Sequence, residues 1–225
     1  MFEKAADVSG KSAETRARVL DVALRSFRER GYAATTMRLI ASEAGVSLGN
    51  AYYYFPSKNH LVQELYASVV AEQARRATRA LPGARGLGDR IAAAWHAAVD
   101  ASDEYHAFGA ELISEAIRPD SPSSPFSSES SPAREASQSV YREVVAGARP
   151  AVPSVLREEL PGLLWLAQLG IEIFWVYDSS PGHRRTRSLV DGLAPLVASL
   201  VGLARLPVAR GLVADSVALV HRVRA

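Results

Sequence analysis

Thr35-Thr36-Met37-Arg38-Leu39-Ile40-Ala41-Ser42-Glu43-Ala44-Gly45-Val46-Ser47-Leu48-Gly49-Asn50-Ala51-Tyr52-Tyr53-Tyr54-Phe55-Pro56-Ser57-Lys58 reads as two short helices around a tight turn, followed by the start of a third. Thr36 can accept from the orphan amides of a first helix, on which Met37, Ile40, Ala41 and Ala44 recur at the spacing of one buried face. Gly45 closes that helix, because glycine tolerates positive φ; Val46 plugs the corner, and Ser47 stands where the next N-cap is needed. A second helix then starts at Leu48, with Leu48, Ala51 and Phe55 turned inward and Gly49, Asn50, Tyr52, Tyr53 and Tyr54 on the other face. Pro56 ends it, and Ser57 caps a helix beginning at Lys58.

Two helices so joined form the element that enters the major groove of DNA, and the residues divide by the chemistry they offer. Thr36, Arg38 and Lys58 stand at helix starts, where phosphate oxygens bind, and they set register. Leu48, Gly49 and Asn50 meet base edges: the glycine allows close approach, the amide offers a bidentate contact and the leucine touches a thymine methyl. Successive helical residues point about 100° apart, so Tyr52, Tyr53 and Tyr54 cannot all face one core. Tyr52 and Tyr54 are expected to bond phosphates through their hydroxyls.

With its preceding helix, which carries Phe27 and Gly31-Tyr32, the run resembles the DNA-binding domain of the tetracycline-repressor (TetR) family of bacterial transcription regulators. The resemblance extends from Thr15 to Leu65 and rests on the Thr-Thr entry, the Ala-Gly-Val-Ser turn and Tyr-Tyr-Tyr-Phe-Pro-Ser-Lys. It implies base and phosphate contacts at Ser47, Leu48, Gly49, Asn50, Tyr52, Tyr53, Tyr54 and Lys58, and a homodimer. Leu39 and Asn59-His60 stand where the family often carries charge, and Tyr54 stands where histidine is common.

Composition narrows the class. The 225 residues contain no cysteine, which excludes a disulfide framework, a thiolate metal site and a thiol redox switch. The five histidines (His60, His96, His106, His183, His221) are scattered, and neither a nucleophile-base-acid set nor a phosphate-binding glycine loop is visible. No catalytic residue, metal or cofactor is therefore expected. No apolar signal segment is evident, and Gln168 and Glu172 interrupt the longest apolar run, Leu163 to Tyr177, so a cytoplasmic chain with no membrane partner is expected. Net charge is only +2, but the segment from Lys11 to His60 carries eight basic residues against four acidic, a local bias suited to phosphate contact.

The near absence of strand-like alternation predicts an all-α protein: a flexible tail over 1–12, a three-helix helix-turn-helix domain over 13–60, and a helical ligand-binding and dimerisation domain over 61–225. A long helix runs from Ser57 to about Ala80, using Leu61, Leu65, Val69, Glu72 and Arg76 along its length, and links the two domains. Further helices are expected at Asp89–Ala101, Glu104–Arg118 and Ala133–Ala148, with a mobile Ser/Pro loop over about 119–132. The Leu163–Tyr177 helix is apolar on nearly every side. The next, about Arg185–Ala204, aligns Leu189, Leu193, Leu196, Leu200 and Leu203. Paired with the same two helices of a second subunit they would build a two-fold four-helix interface, and a last helix at about Val208–Arg224 would pack on it.

Two recognition helices related by a two-fold axis require a palindromic operator. The expected function is a homodimeric repressor of double-stranded DNA, released by an unknown small-molecule effector. Trp95, Tyr105, Phe108, Tyr141, Trp165 and Trp175 supply aromatics for an apolar cavity, and Glu111, Gln168 and Glu172 supply polar contacts in it. For each aromatic the alternative is an ordinary core position, and for Gln168 and Glu172 it is pairing across the dimer. Two other functions remain open at this stage: an enzyme or small-molecule carrier with an incidental helix-turn-helix, and a constitutive DNA binder whose core is filled.

Overall fold

A computed structural model describes residues 2–206 and residue 222, and every regular element among them is helical. The chain forms helices α1 (Phe2–Arg30), α2 (Met37–Glu43), α3 (Leu48–Tyr54), α4 (Lys58–Ala80), α5 (Leu87–Ser102), α6 (His106–Ala116), α7 (Ser131–Gly147), α8 (Ser154–Arg157), α9 (Leu160–Val176) and α10 (Arg184–Leu203). The helix expected over Val208–Arg224 lies, apart from Arg222, outside the described residues.

Two compact units result. The first comprises 1–68 and 104–131, the second 69–103 and 132–225. This corrects the division at residue 60: α6 and the Ser/Pro segment belong with the helix-turn-helix, and α4 changes unit after Ser68. The flexible tail over 1–12 is also corrected, since α1 begins at Phe2.

In the first unit α1 packs on α2 and on α6, and α2 packs on α3. Val19, Val22, Ala23 and Phe27 of α1 are buried, as are Ile40, Ala51, Phe55, Leu61 and Leu65. The segment after α6 does not stand as a mobile loop. Its Ser121, Ser123 and Ser130 are buried; Gln63 donates to Pro122 O at 2.8 Å and to Ser130 Oγ at 3.0 Å, and Ser123 donates to Asn59 Oδ1. The segment is polar, but α4 provides the partners that allow its serines to be enclosed.

In the second unit α10 packs along α5, and α9 packs against both. Arg90 of α5 is buried and holds the unit together by donating to four carbonyls: Leu81 at 3.0 Å, Ala84 at 3.1 Å, Glu143 at 2.8 Å and Val144 at 2.9 Å. A Cβ at Gly147 would collide with the guanidinium, so the end of α7 needs glycine there. Asp178, also buried, starts α10 by accepting from Ser180 and from the amide and hydroxyl of Thr186, both at 2.8 Å. Burial opposes that charge, but the four hydrogen bonds outweigh it and hold the carboxyl well below the usual range.

Replacing Arg90 with methionine keeps much of the volume but removes the buried donor shared by four carbonyls, of which Leu81 O keeps the Ala84 amide. The variant should lose about 2–4 kcal/mol of stability, read from chemical denaturation of the purified protein.

Candidate nucleic-acid interface

The helix-turn-helix forms as its residues dictate. Thr36 Oγ1 accepts from Leu39 N at 3.2 Å and Ser47 Oγ from Asn50 N at 3.1 Å, so both N-caps are made by short hydroxyl side chains. Gly45 sits at φ 66°, and Val46 N returns to Ala41 O at 3.0 Å. Arg18 of α1 donates to Ala44 O at 3.0 Å and so closes the end of α2. Met37, Ile40, Ala41, Ala44, Ala51 and Phe55 are buried together, while Leu48 is only half-buried.

Thr36, Arg38, Ser47, Gly49, Asn50, Tyr52 and Tyr53 are exposed, Tyr53 at 76%. Tyr54 is half-buried: its hydroxyl lies 3.2 Å from Ser12 Oγ, and its ring meets the edge of Tyr53 at 5.2 Å. The surface of α3 is therefore an amide, two exposed phenols and a glycine, carried on two capped turns. These groups suit base edges and phosphate oxygens.

Lys58 is placed differently from the sequence expectation. Its ammonium donates to Tyr32 O at 2.6 Å and Thr35 O at 3.1 Å and lies 4.0 Å from the centre of the Tyr32 ring. Burial lowers its pKa, partly opposed by Glu115 and Glu111. The side chain thus clasps the loop between α1 and α2, where the sequence reading had it reach for phosphate. Other basic residues in the segment are engaged as well. Arg16 pairs with Glu64 and lies over the Phe55 ring at 4.8 Å, Arg30 pairs with Glu43 at 2.7 Å, and Arg25 stands 3.7 Å from Asp21. Counting charges along the sequence overstated what is free to meet DNA.

The nine candidate ligand residues separate between the two units, and Tyr105, Phe108 and Glu111 fall in the first. Phe108 is buried against Phe27 at 6.2 Å and Tyr105 at 6.0 Å; burial and then Glu104 push the Tyr105 phenol up to about 12. Glu111, exposed on α6, accepts from the backbone amides of Tyr32 and Ala33. These three serve as core and clasp residues of the first unit, a correction to their assignment to the ligand-binding domain over 61–225. The cause is the chain path, which returns α6 to α1.

The other six lie in the second unit. Trp95, Tyr141, Trp165, Gln168 and Trp175 are buried, and Glu172 is half-buried. Trp95 Nε1 donates to Leu164 O at 3.2 Å, and Trp175 Nε1 to Asp103 at 3.3 Å. Tyr141 donates to Gln168 Oε1, and Gln168 Nε2 to Glu172 at 2.6 Å. The residue the sequence reading missed is Gln73 of α4. It is fully buried and donates to Gln168 Oε1 at 2.9 Å and to the Tyr141 hydroxyl at 3.4 Å, while its own Oε1 has no partner among the described residues. The spacing held the signal: Leu61, Leu65, Val69, Gln73 and Ala77 form one i, i+4 row, whereas Glu72 and Arg76, expected with Leu61, Leu65 and Val69 along the length of the helix, pair with each other on the surface at 2.7 Å.

Two measurements check these placements. Arg38→Ala should reduce the slope of log affinity against log salt by roughly 0.9, whereas Lys58→Met should weaken DNA binding with its slope unchanged, both read from titrations at several salt concentrations. Burial raises the Glu172 pKa against the opposing bond from Gln168, so the ionised acid costs stability once pH rises above the ordinary glutamate value. Glu172→Gln should accordingly raise the thermal midpoint at pH 8 and leave it nearly unchanged near pH 4, measured by scanning fluorimetry.

Comparison with known proteins matches residues 19–65 to the bacterial regulatory proteins of the tetR family and residues 90–219 to the tetracyclin repressor-like C-terminal domain. Among curated relatives, the chain is 48% identical over 59 residues to the HTH-type transcriptional repressor KstR2 of Rhodococcus jostii, covering 26% of this chain and 28% of that one. It is 46% identical over 56 residues to the HTH-type transcriptional regulator TtgR of Pseudomonas putida, covering 25% and 27%. The matched stretch thus spans about a quarter of these relatives' length. Among solved structures, a TetR regulator of Nitrosomonas europaea aligns with a TM-score of 0.62 at 19% identity, covering 81% of this chain and 97% of that one. A tetR-family regulator of Streptomyces coelicolor aligns at 0.59 and 20% identity, covering 92% and 89%. FadR of Thermus thermophilus, a repressor solved with lauroyl-CoA, aligns at 0.51 and 20% identity, covering 84% and 92%. The C-terminal match alone spans more than half of the 225 residues, and the chain belongs to the TetR family of bacterial transcriptional regulators.

Proposed function

We propose that this chain is a homodimeric repressor that reads a palindromic double-stranded DNA site through α3 and is released by a small-molecule effector held in the second unit. The observation that carries the reading is the exposed Gly49, Asn50, Tyr52 and Tyr53 surface on a helix whose cap and core are complete. Ser47, Leu48 and Thr36 flank it, the exposed Arg38 supplies a charge for phosphate, and the half-buried Tyr54 meets Tyr53 ring to edge. KstR2 of R. jostii and FadR of T. thermophilus are repressors, which supports repression.

A second copy of the chain is supported by the apolar faces of α9 and α10. Leu163, Leu166, Ile173 and Phe174 are exposed on α9, and Leu196 (62%), Leu200 (67%) and Leu203 are exposed on α10. α10 buries Val190, Ala194 and Val201 inside its own unit and turns the leucines the other way. Its stretch Pro181–Leu203 is also long and apolar enough to cross a membrane by composition, but a two-fold helical interface accounts for the same leucines while leaving Asp191 and the N-terminal arginines in water. Two α3 helices would then enter major grooves about 34 Å apart. Such a regulator would work in the cytoplasm, without enzymatic activity or a cofactor.

The effector reading draws support from Gln73, which brings α4 into a polar network with Tyr141, Gln168 and Glu172 beside Trp95; Trp165 and Trp175 are buried in the same unit. T. thermophilus FadR is a relative in fold solved with a small molecule, lauroyl-CoA. A constitutive DNA binder is the second reading, favoured by the complete burial of Trp95, Tyr141 and Gln73.

Selection of bound sequences from random DNA at fixed salt should return an inverted repeat. Asn50→Ala should weaken binding to it by roughly tenfold or more, and Leu200→Glu should give a monomer by light scattering. A collection of unrelated sequences, or an Asn50→Ala variant that binds like the parent, would overturn the assignment of the reader. Screening small molecules for release of the selected DNA then separates the effector reading from the constitutive one.

A further inference from the structure

We propose that Glu111 is a positioning residue for DNA recognition: α6 fixes the start of the helix-turn-helix through this carboxylate, and DNA affinity depends on where α6 holds it. The proposal rests on the DNA-binding reading above, and all of its parts lie within the first unit.

The loop between α1 and α2 has backbone groups that no helix satisfies. The amides of Tyr32 and Ala33 both point to Glu111 Oε2, the Ala33 contact being 3.4 Å. The carbonyls of Tyr32 and Thr35 point the other way, to Lys58 Nζ. One acid and one base, from α6 and from the first residue of α4, therefore hold the two sides of a single peptide segment. That segment ends at Thr36, the residue that caps α2, and α2 packs directly on α3. Displacing the loop displaces the reader.

The clasp is also built tightly. Gly31 takes φ +85°, and a Cβ there would stand 2.5 Å from Glu111 Oε1, so the carboxylate fills the space that a side chain at position 31 would need. Phe108, one turn before Glu111, is buried against Phe27 and sets the register of α6 on α1. α6 follows α5 in the chain with only the short turn Asp103–Tyr105 between them. Hydrogen bonds weaken steeply beyond about 3.5 Å, so a shift of α6 by roughly 1 Å is enough to release the amides.

The charge of Glu111 makes the test decisive. A carboxylate removed from a DNA-binding head should strengthen binding if electrostatics alone operates. A positioning role predicts the reverse. Full-length parent, Glu111→Gln and Glu111→Ala are titrated against the DNA site selected by the parent, at several salt concentrations, with thermal midpoints and amide hydrogen exchange measured alongside. Glu111→Ala should bind roughly tenfold more weakly, with an unchanged salt slope, faster exchange at Tyr32 and Ala33, and a midpoint within a few degrees of the parent. Glu111→Gln keeps an acceptor oxygen and should fall between the two, and it carries the comparison alone if the alanine variant does not fold. Affinity equal to or above the parent's in folded variants would overturn the proposal. A parent that selects no DNA site would instead remove the DNA-binding reading itself.

Discussion

Helical chains satisfy their backbone internally except at helix ends and in the turns between them, and in this protein charged side chains from distant positions fill those gaps. Arg18 closes α2, Lys58 and Glu111 hold the loop before it, Arg90 gathers the ends of two segments around α5, and Asp178 starts α10. Arg205 donates to Pro150 O and Ala151 O in the same manner. Each bond joins residues remote in sequence, or a helix to the turn that precedes it. The packing of the apolar faces provides stability, and these ionic caps decide which turn meets which helix.

That arrangement explains what could be read from the sequence. The helix-turn-helix was legible almost to the residue, because Thr36, Gly45, Ser47 and Pro56 act locally and their effect is written within four positions. The described later helices were legible for the same reason, apart from short α8, and the extent of α1 was not. The roles of Lys58 and Glu111 were not. Each depends on a partner 23 or more positions away, and nothing in the local pattern distinguishes a lysine that reaches phosphate from one that reaches Thr35 O. The unit boundary failed likewise, since α6 returns to α1 by packing between Phe108 and Phe27 and not by any local signal. Gln73 lay between these cases: its row on α4 was visible, but a glutamine among apolar residues looks like a surface position until Tyr141 and Gln168 are placed beside it.

The two units solve opposite problems with related means. The head keeps a polar surface exposed by burying a small apolar core beneath it, and its tyrosines divide accordingly between the open Tyr52 and Tyr53 and the tethered Tyr54. The second unit encloses polar groups within an apolar core, and there Gln168 bonds Gln73, Tyr141 and Glu172 at once. A network of this kind is sensitive to any change in the number of partners, because an unpaired polar atom in the interior is costly.

The internal use of arginine and lysine in the head bears on how it would search a genome. Attraction to DNA of any sequence arises mainly from free cationic charge, and here Arg16, Arg18, Arg30 and Lys58 are already engaged with carboxylates or carbonyls. What faces outward on α3 is an amide and phenols, groups whose contribution depends on alignment with particular bases and phosphates. Such a head gains less from random sequence than the number of its basic residues suggests. The ratio of specific to non-specific binding, more than absolute affinity, would determine how few copies suffice to keep one site filled.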